Sequence, residues 1–438
     1  MNNDDTIYAI SSAAGASARM IVRLCGPGAR AVATSVCPDL PDVAGAKRLW
    51  LRFADLEVRA WVYLFVSPRS YTGDDLVEFH LPGNVMLVQL LIGHLRRQDV
   101  RMAEPGEFTA RAYFNGRMDL TEAEGVSAVI SAHSERELNA ARQLLAGELA
   151  ARLRPMMDQL TEALALIEAE IDFVDEPVTF LARPDLRGRL ESIRGDLQNL
   201  LVGSRRFERL SHQPRVVLVG RPNAGKSTLL NWLAGHDRAI VSPLAGTTRD
   251  VLWAEVMLPA GVIHLVDVAG LEVDEHAVGV VDAQMQDHAR RAIAEADLAV
   301  LVREVNDSRP MITADRAFDL HVFTKADLLN GPGGFGEDAI LVSAKTGMGR
   351  EYLIQAINRL VFTRDSGEAR LALNQRHVQA IELALDHVQQ AASMAESAAI
   401  ELLALELRTA LNHLGGILGM VSPDDLLGEI FSRFCIGK

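Results

Sequence analysis

The stretch that most constrains this chain is Gly220-Arg221-Pro222-Asn223-Ala224-Gly225-Lys226-Ser227, which fits G-x-x-x-x-G-K-[ST]. It follows an apolar run at 215–219 and precedes a helical pattern at 228–234. A glycine-bearing loop carried from a buried strand into a helix N-terminus lets backbone N–H groups surround phosphates. Lys226 would add a point charge at the β- and γ-phosphates, and the Ser227 hydroxyl would be a Mg²⁺ ligand. An ordinary glycine turn seldom has both flanking elements.

Four more stretches follow in chain order. Gly246-Thr247-Thr248-Arg249-Asp250 can order a switch loop, with the Thr248 hydroxyl completing the Mg²⁺ shell. Asp267-Val268-Ala269-Gly270 ends a strand, so Asp267 can hold Mg²⁺ through water and the Gly270 N–H can meet the γ-phosphate. Thr324-Lys325-Ala326-Asp327 ends another. A carboxylate there accepts two hydrogen bonds from guanine N1 and N2, which adenine does not offer, while Lys325 can lay its stem over the base. Ser343-Ala344-Lys345 can supply a backbone amide to guanine O6. Each motif is weak alone; in this order behind a P-loop they predict that the nucleotide is GTP.

The surrounding pattern predicts an α/β P-loop GTPase domain inserted in an α-helical domain and preceded by an α+β N-terminal domain. A chain of 438 residues exceeds what one core usually holds. The sequence predicts strands at 56–66 and 76–80 and a helix at 85–97. Leu145, Leu149, Leu153, Met156, Leu160, Leu164, Ile167 and Ile171 recur at helical spacing, with Pro155 expected to kink or divide the helix. A second helix is expected at 185–210. Continuous apolar runs at 216–219, 262–266, 298–302, 322–323 and 340–342 predict doubly buried parallel strands, and helical periodicity returns at Ile400, Leu403, Leu407, Leu411 and Leu414. The expected boundaries are 1–117, 118–210, 211–365 and 366–438.

Apolar content of 49% with 23% charged residues describes a globular chain, and a formal charge of −14 argues against broad non-specific binding of nucleic acid. Three cysteines without a CxxC pair suit a reducing cytosol, and no histidine spacing suggests zinc. No signal peptide or membrane span is visible, so the expected location is cytoplasmic. Cys435 is expected to be a small buried hydrophobe, His80 structural, and Arg205, Arg206 and Arg209 a solvated helix face.

Outside the nucleotide motifs, three stretches carry a family resemblance: 70–80 (SYTGDDLVEFH), 105–120 (PGEFTARAYFNGRMDL) and the end 424–438 (DDLLGEIFSRFCIGK). With GRPNAGKS and AGTTRD between them, the chain resembles the bacterial tRNA-modification GTPase family MnmE (TrmE) over nearly its whole length. The resemblance implies an N-terminal domain that makes a homodimer and binds 5-formyltetrahydrofolate or a related folate. It also implies a flavin-dependent partner, MnmG (GidA), with which a carboxymethylaminomethyl group is added at C5 of wobble uridine 34 of certain tRNAs, and a potassium-dependent GTPase cycle. Carried over by motif, GTP contacts would come from Asn223, Ala224, Gly225, Lys226, Ser227 and Thr228 and from Ser242, Pro243, Leu244, Ala245, Gly246 and Thr247. Others would come from Asp267, Val268, Ala269 and Gly270, and from the TKAD and SAK residues. Asn223, Ser242, Leu244 and Thr247 would ligate K⁺, and Arg23, Glu78, Arg117 and Lys438 would bind folate.

The departures are specific. Residues 14–20 have lost most of the family's glycines, and Arg117 stands where lysine is common. TKAD replaces the more usual NKxD. The family's water-orienting glutamate falls, counted from Asp267, on Gly279; Glu275 and Asp282 are the nearest acids, with Glu272 and Asp274 in the same loop. Two other readings stay open at this stage: a GTP-dependent assembly factor, for instance ribosomal, and a nucleotide-binding scaffold with weak hydrolysis.

Overall fold

The computed structural model describes residues 5–13, 15, 17–98, 100–172, 182–206, 213–235, 252–268, 290–310, 312, 316–329, 339–362, 371–395, 400–420, 424–432, 434 and 436–437. The chain divides into two compact units. The first gathers Met1–Ser131, Ala140–Arg205 and Leu371–Lys438; the second is Ala132–Asn139 with Arg206–Arg370.

In the first unit, β1 (Ile7–Ile10), β2 (Ser17–Cys25), β3 (Gly45–Phe53), β4 (Leu56–Phe65), β5 (Leu76–Gly83) and β6 (Arg101–Met102) form one sheet in the order β3-β4-β5-β2-β1-β6. Only β1 and β6 pair in parallel. The strand period of two is plain in β4, where Ala60, Val62 and Leu64 are buried and Arg59 and Trp61 are exposed. Helices α1 (Ala29–Val36) and α2 (Val85–Leu95) share a core with this sheet through Val32, Val36, Leu91 and Phe79. The two expected strands and the helix are present. Residues 17–20 of the glycine-poor stretch form the start of β2, against which Gly83 of β5 packs so closely that a Cβ would lie 1.7 Å from the Ser17 carbonyl oxygen.

After α3 (Glu107–Phe114), the helices α4 (Leu120–Ser131), α5 (Glu135–Leu145), α6 (Glu148–Asp172) and α7 (Arg183–Gly203) follow. Two expectations need correction here. The Leu145–Ile171 run is divided at Gly147 (φ +72°) and α6 passes unbroken through Pro155. Glycine takes the left-handed conformation that ends α5 without a Cβ penalty, and Leu145 beside it is 40% exposed. Leu149, Leu153, Leu160 and Ile167, before and after Pro155 in sequence, form one buried stripe, each contributing roughly 1.5–3 kcal/mol, which offsets one missing helical hydrogen bond. Helix α7 ends at Gly203, not Leu210. Ser204 turns extended, its hydroxyl donating to the Leu201 carbonyl at 2.8 Å, and Arg205–Arg206 is a short strand, β7, so those arginines lie on no helix face. Arg209 is outside the described residues.

The helices at Gln375–Met394 and Ile400–Leu418 complete the same core as α6 and α7. Glu124 of α4 accepts from Nε and Nη2 of Arg376, at 3.0 and 2.9 Å, and lies 2.7 Å from Nε2 of the fully buried His377. Arg376 also donates to the Gly416 carbonyl at 2.9 Å. Burial pushes the Glu124 carboxyl up, but His377 and Arg376 together outweigh it and hold the pKa at about 2, against 4.5 normally. A carboxylate depressed in the folded state stabilises above its unfolded pKa and loses that contribution as pH falls from about 4.5 toward 2. From pH 6 to 2.5 this group should cost on the order of 3 kcal/mol of stability. Urea unfolding of Glu124→Gln should show lower stability at pH 6 and lack that part of the acid decline; an identical decline in both proteins would remove Glu124 from the account.

The second unit is a six-stranded sheet of β8 (Arg215–Val219), β9 (Leu252–Leu258), β10 (Gly261–Asp267), β11 (Leu298–Glu304), β12 (Leu320–Thr324) and β13 (Ala339–Leu341), in the order β13-β12-β11-β8-β10-β9. All neighbours are parallel except β9 against β10. The expected apolar runs fall on these strands. β9 was not expected, because its alternating LWAEVML pattern lacks a continuous apolar run. Helix α8 (Lys226–Ala234) follows β8. Residues 132–139 belong to this unit, with Ser134 bridging Gly261 and the His133 carbonyl accepting from the Val262 amide at 3.1 Å.

Candidate nucleotide site

Ligands on an open parallel sheet bind at the carboxyl ends of its strands, and the described motifs converge there. β8 leads into the P-loop and then α8. Its neighbours β10 and β11 end at Asp267 and Glu304, while β12 ends at Thr324. The loop is close to the sheet from its first residue: a Cβ at Gly220 would lie 2.2 Å from the Val302 carbonyl oxygen. Asn223 (φ +63°) and Gly225 (φ +91°) take left-handed conformations, which fold the loop back on itself so that successive amides can face one point.

Lys226 is buried, its ammonium donating to the Gly220 carbonyl at 2.8 Å and the Arg221 carbonyl at 3.2 Å. Burial pulls its pKa down, and the Asp267 carboxylate opposes that shift. Ser227 Oγ donates to Asp267 Oδ2 at 2.5 Å. The sheet register explains this contact: Asp267 pairs with Leu218 of β8, two residues before the loop begins. A hydroxyl and a carboxylate held together are oxygen donors suited to a hard cation such as Mg²⁺.

A cavity of about 260 Å³ opens beside the loop, lined by Gly225, Thr228, Leu229, Thr324, Lys325, Asp327, Leu328, Val342, Ser343, Ala344 and Lys345. It contains the two motifs expected to read the base. Ser343 Oγ donates to Asp327 Oδ1 at 2.7 Å, and that bond first, then Asp327's own backbone amide and Lys345 nearby, holds the Asp327 carboxyl below its usual range. One carboxylate oxygen is thereby fixed, and the side chain faces the cavity as an ionised acceptor. The Ser343 amide donates to the Met348 carbonyl at 3.0 Å, so of the three residues expected to offer an amide to the base, Ser343 has its own already engaged. Lys325 (φ +57°) has its ammonium 2.6 Å from Glu304 Oε2.

Two supports were not legible in the motifs. Thr324 Oγ1 donates to the Ala224 carbonyl at 2.6 Å, tying the end of β12 to the P-loop. Arg221 meets Asp307 Oδ2 at 3.3 Å and the Pro310 carbonyl at 3.0 Å, while Arg309 reaches Asp307 Oδ1 at 2.8 Å. Arg309 first, then Arg221, holds the Asp307 carboxyl well below the usual range. Both supports join residues about 80 to 100 positions apart, which only strand adjacency brings together.

In the first unit, Arg23 of β2 and Glu78 of β5 are register partners joined at 2.8 Å. Arg23 also donates to the Gly437 carbonyl at 3.1 Å, beside a bridge between Pro105 and Ile436, so the chain's end lies against them. His80 gains the partner that sequence could not assign, Glu78 Oε2 at 3.0 Å, and packs 4.4 Å from the Tyr63 ring. Arg117 is exposed, its stem near Gly73. Lys438 and Cys435 lie outside the described residues, as do Ser242, Pro243, Leu244, Ala245, Gly246, Thr247, Thr248, Ala269, Gly270, Glu272, Asp274, Glu275, Gly279 and Asp282. No helix among the described residues is long and apolar enough to cross a membrane.

Two family models match the chain, one described as GTP-binding protein TrmE N-terminus over residues 6–117 and one as MnmE helical domain over 120–435. The tRNA modification GTPase MnmE of Roseobacter denitrificans is 36% identical, across 99% of this chain and all of that protein. Its counterpart in Akkermansia muciniphila is 38% identical across 99% of both chains, and that of Neisseria meningitidis is 36% identical across the whole of both. With the P-loop, the cavity beside it and both flanking regions accounted for along the full length, the chain belongs to the MnmE family of tRNA modification GTPases.

Proposed function

We propose that this chain hydrolyses GTP in the service of tRNA modification, adding a carboxymethylaminomethyl group to C5 of wobble uridine 34 together with a flavin-dependent partner of the MnmG (GidA) kind. The observation that carries the reading is the ionised Asp327, fixed by Ser343, on a cavity that opens beside Lys226 and the Ser227–Asp267 pair. Asp327 accepts from the guanine N1 and N2 edge. The amides at the start of α8 and the Lys226 ammonium neutralise charge gathering on the β- and γ-phosphates. Ser227 and Asp267, with Thr248, would hold Mg²⁺, which when bound neutralises the same oxygens. The Gly270 amide and an acid of the following loop, Glu275 or Asp282, are assigned to the γ-phosphate and the attacking water.

The finer reading follows the family. The domains are 1–117, 118–210, 211–365 and 366–438, the protein is a cytoplasmic homodimer, and a folate such as 5-formyltetrahydrofolate sits on Arg23, Glu78, Arg117 and Lys438. The Arg23–Glu78 pair against Gly437 supports that placement, because it brings a cation, an acid and the chain's end to one spot. Neither an assembly factor nor a bare scaffold gives that cluster a purpose.

Potassium is assigned to Asn223, Ser242, Leu244 and Thr247. Asn223 is exposed on the loop, where its amide oxygen can face an ion. Single-turnover GTP hydrolysis should be about 10²-fold faster in KCl than in NaCl, the effect of one charge-stabilising contact. Asn223→Ala should abolish the stimulation. Equal rates in the two salts would overturn the potassium assignment.

A further inference from the structure

Three described side chains at the base cavity already have partners. The Ser343 hydroxyl donates to Asp327, and the Lys325 ammonium is 2.6 Å from Glu304. Thr324 is the third and the most restricted. It is 6% exposed, packed under Gly225, where a Cβ would meet its Oγ1 at 3.3 Å. Its hydroxyl faces two carbonyl oxygens, that of Ala224 at 2.6 Å and that of Arg303 at 3.3 Å. Carbonyls only accept, so the single hydroxyl hydrogen points at Ala224. What remains on Oγ1 is acceptor capacity. Guanine N7 is an acceptor too, and two acceptors do not bond. An asparagine at this position would have two N–H groups, one for the Ala224 carbonyl and one for the base.

We infer that Thr324 is a strut between β12 and the phosphate loop and gives no hydrogen bond to the base, so that the chain accepts a guanine nucleotide whose N7 is replaced by C–H. Selectivity then rests on the N1, N2 and O6 edge, through Asp327 and the amides after Ser343. The inference depends on the cavity being the guanine site proposed above.

The test is competitive binding of GDP and 7-deaza-GDP, which differ by N7 against C–H, to the full-length protein. The two should bind within about twofold of each other, since no hydrogen bond is lost. Thr324→Asn should introduce a preference for GDP of about fivefold, the ratio that one net hydrogen bond supplies. Thr324→Val, which removes the strut, should weaken both nucleotides alike and leave their ratio near one. Wild-type discrimination of fivefold or more against 7-deaza-GDP would overturn the inference while leaving the guanine site intact. Failure of the wild type to bind GDP would instead overturn the site itself. The wild-type ratio stands as a test even if a variant does not fold.

Discussion

Lys226→Met should lower single-turnover GTP hydrolysis by about 10²–10³-fold, the usual cost of deleting one group that stabilises developing charge in a dry site. The buried ammonium lies between the Gly220 and Arg221 carbonyls and within the field of Asp267. Nothing else described in the loop carries a positive charge so enclosed. Methionine keeps the apolar stem and removes the charge. Folding loses two hydrogen bonds to carbonyls but no longer desolvates a cation, two terms of similar size and opposite sign. The melting temperature should therefore move little while hydrolysis collapses. Parallel stopped-flow hydrolysis and thermal unfolding would check this, and a loss of stability in proportion to the loss of rate would show Lys226 to be structural.

Asp327→Asn should weaken GDP and GTP binding by about 10²-fold, because a carboxylate accepting from two guanine donors is exchanged for an amide that can accept from only one. The Ser343 hydroxyl can still donate to the amide oxygen, which leaves the NH₂ facing the base. That NH₂ repels the guanine N2 amine but complements a carbonyl at C2. The variant should accordingly gain affinity for xanthosine nucleotides as it loses guanosine nucleotides. Fluorescence titration with both bases would show the exchange, and unchanged guanine selectivity would place base reading elsewhere.

The parts of this molecule that were legible from sequence are those whose signal is local. A buried parallel strand has to be apolar throughout, so five of the six strands of the second unit stand out as runs such as Val216–Val219 and Leu298–Val302. β9 alternates buried and exposed residues in its second half and so carries no such run. The P-loop was readable because its chemistry sits in eight consecutive residues. Helix ends were harder: Gly147 divides what Pro155 was expected to divide, and Ser204 ends α7 ahead of Arg205–Arg206. A glycine stops a helix when the backbone must turn left-handed, and spacing does not report φ.

Site geometry was legible in kind but not in partnership. Asp327 and Ser343 were both expected at the base, yet the hydrogen bond between them depends on β12 and β13 being neighbours. The Thr324–Ala224 strut and the Arg221–Asp307 support depend in the same way on strand order. In sequence, TKAD in place of the more usual NKxD keeps the carboxylate of Asp327. The hydrogen-bond directions add that the Thr324 hydroxyl, spent on the Ala224 carbonyl, has no hydrogen left for a second acceptor.

The claim that joins the two units in one function is tRNA modification, and the nucleoside profile of tRNA from cells lacking this protein tests it most directly. The carboxymethylaminomethyl group should be missing from wobble uridine, restored by the wild-type chain and not by Lys226→Met. A wobble-uridine profile unchanged by loss of the protein would contradict the account, whatever the purified chain does with GTP.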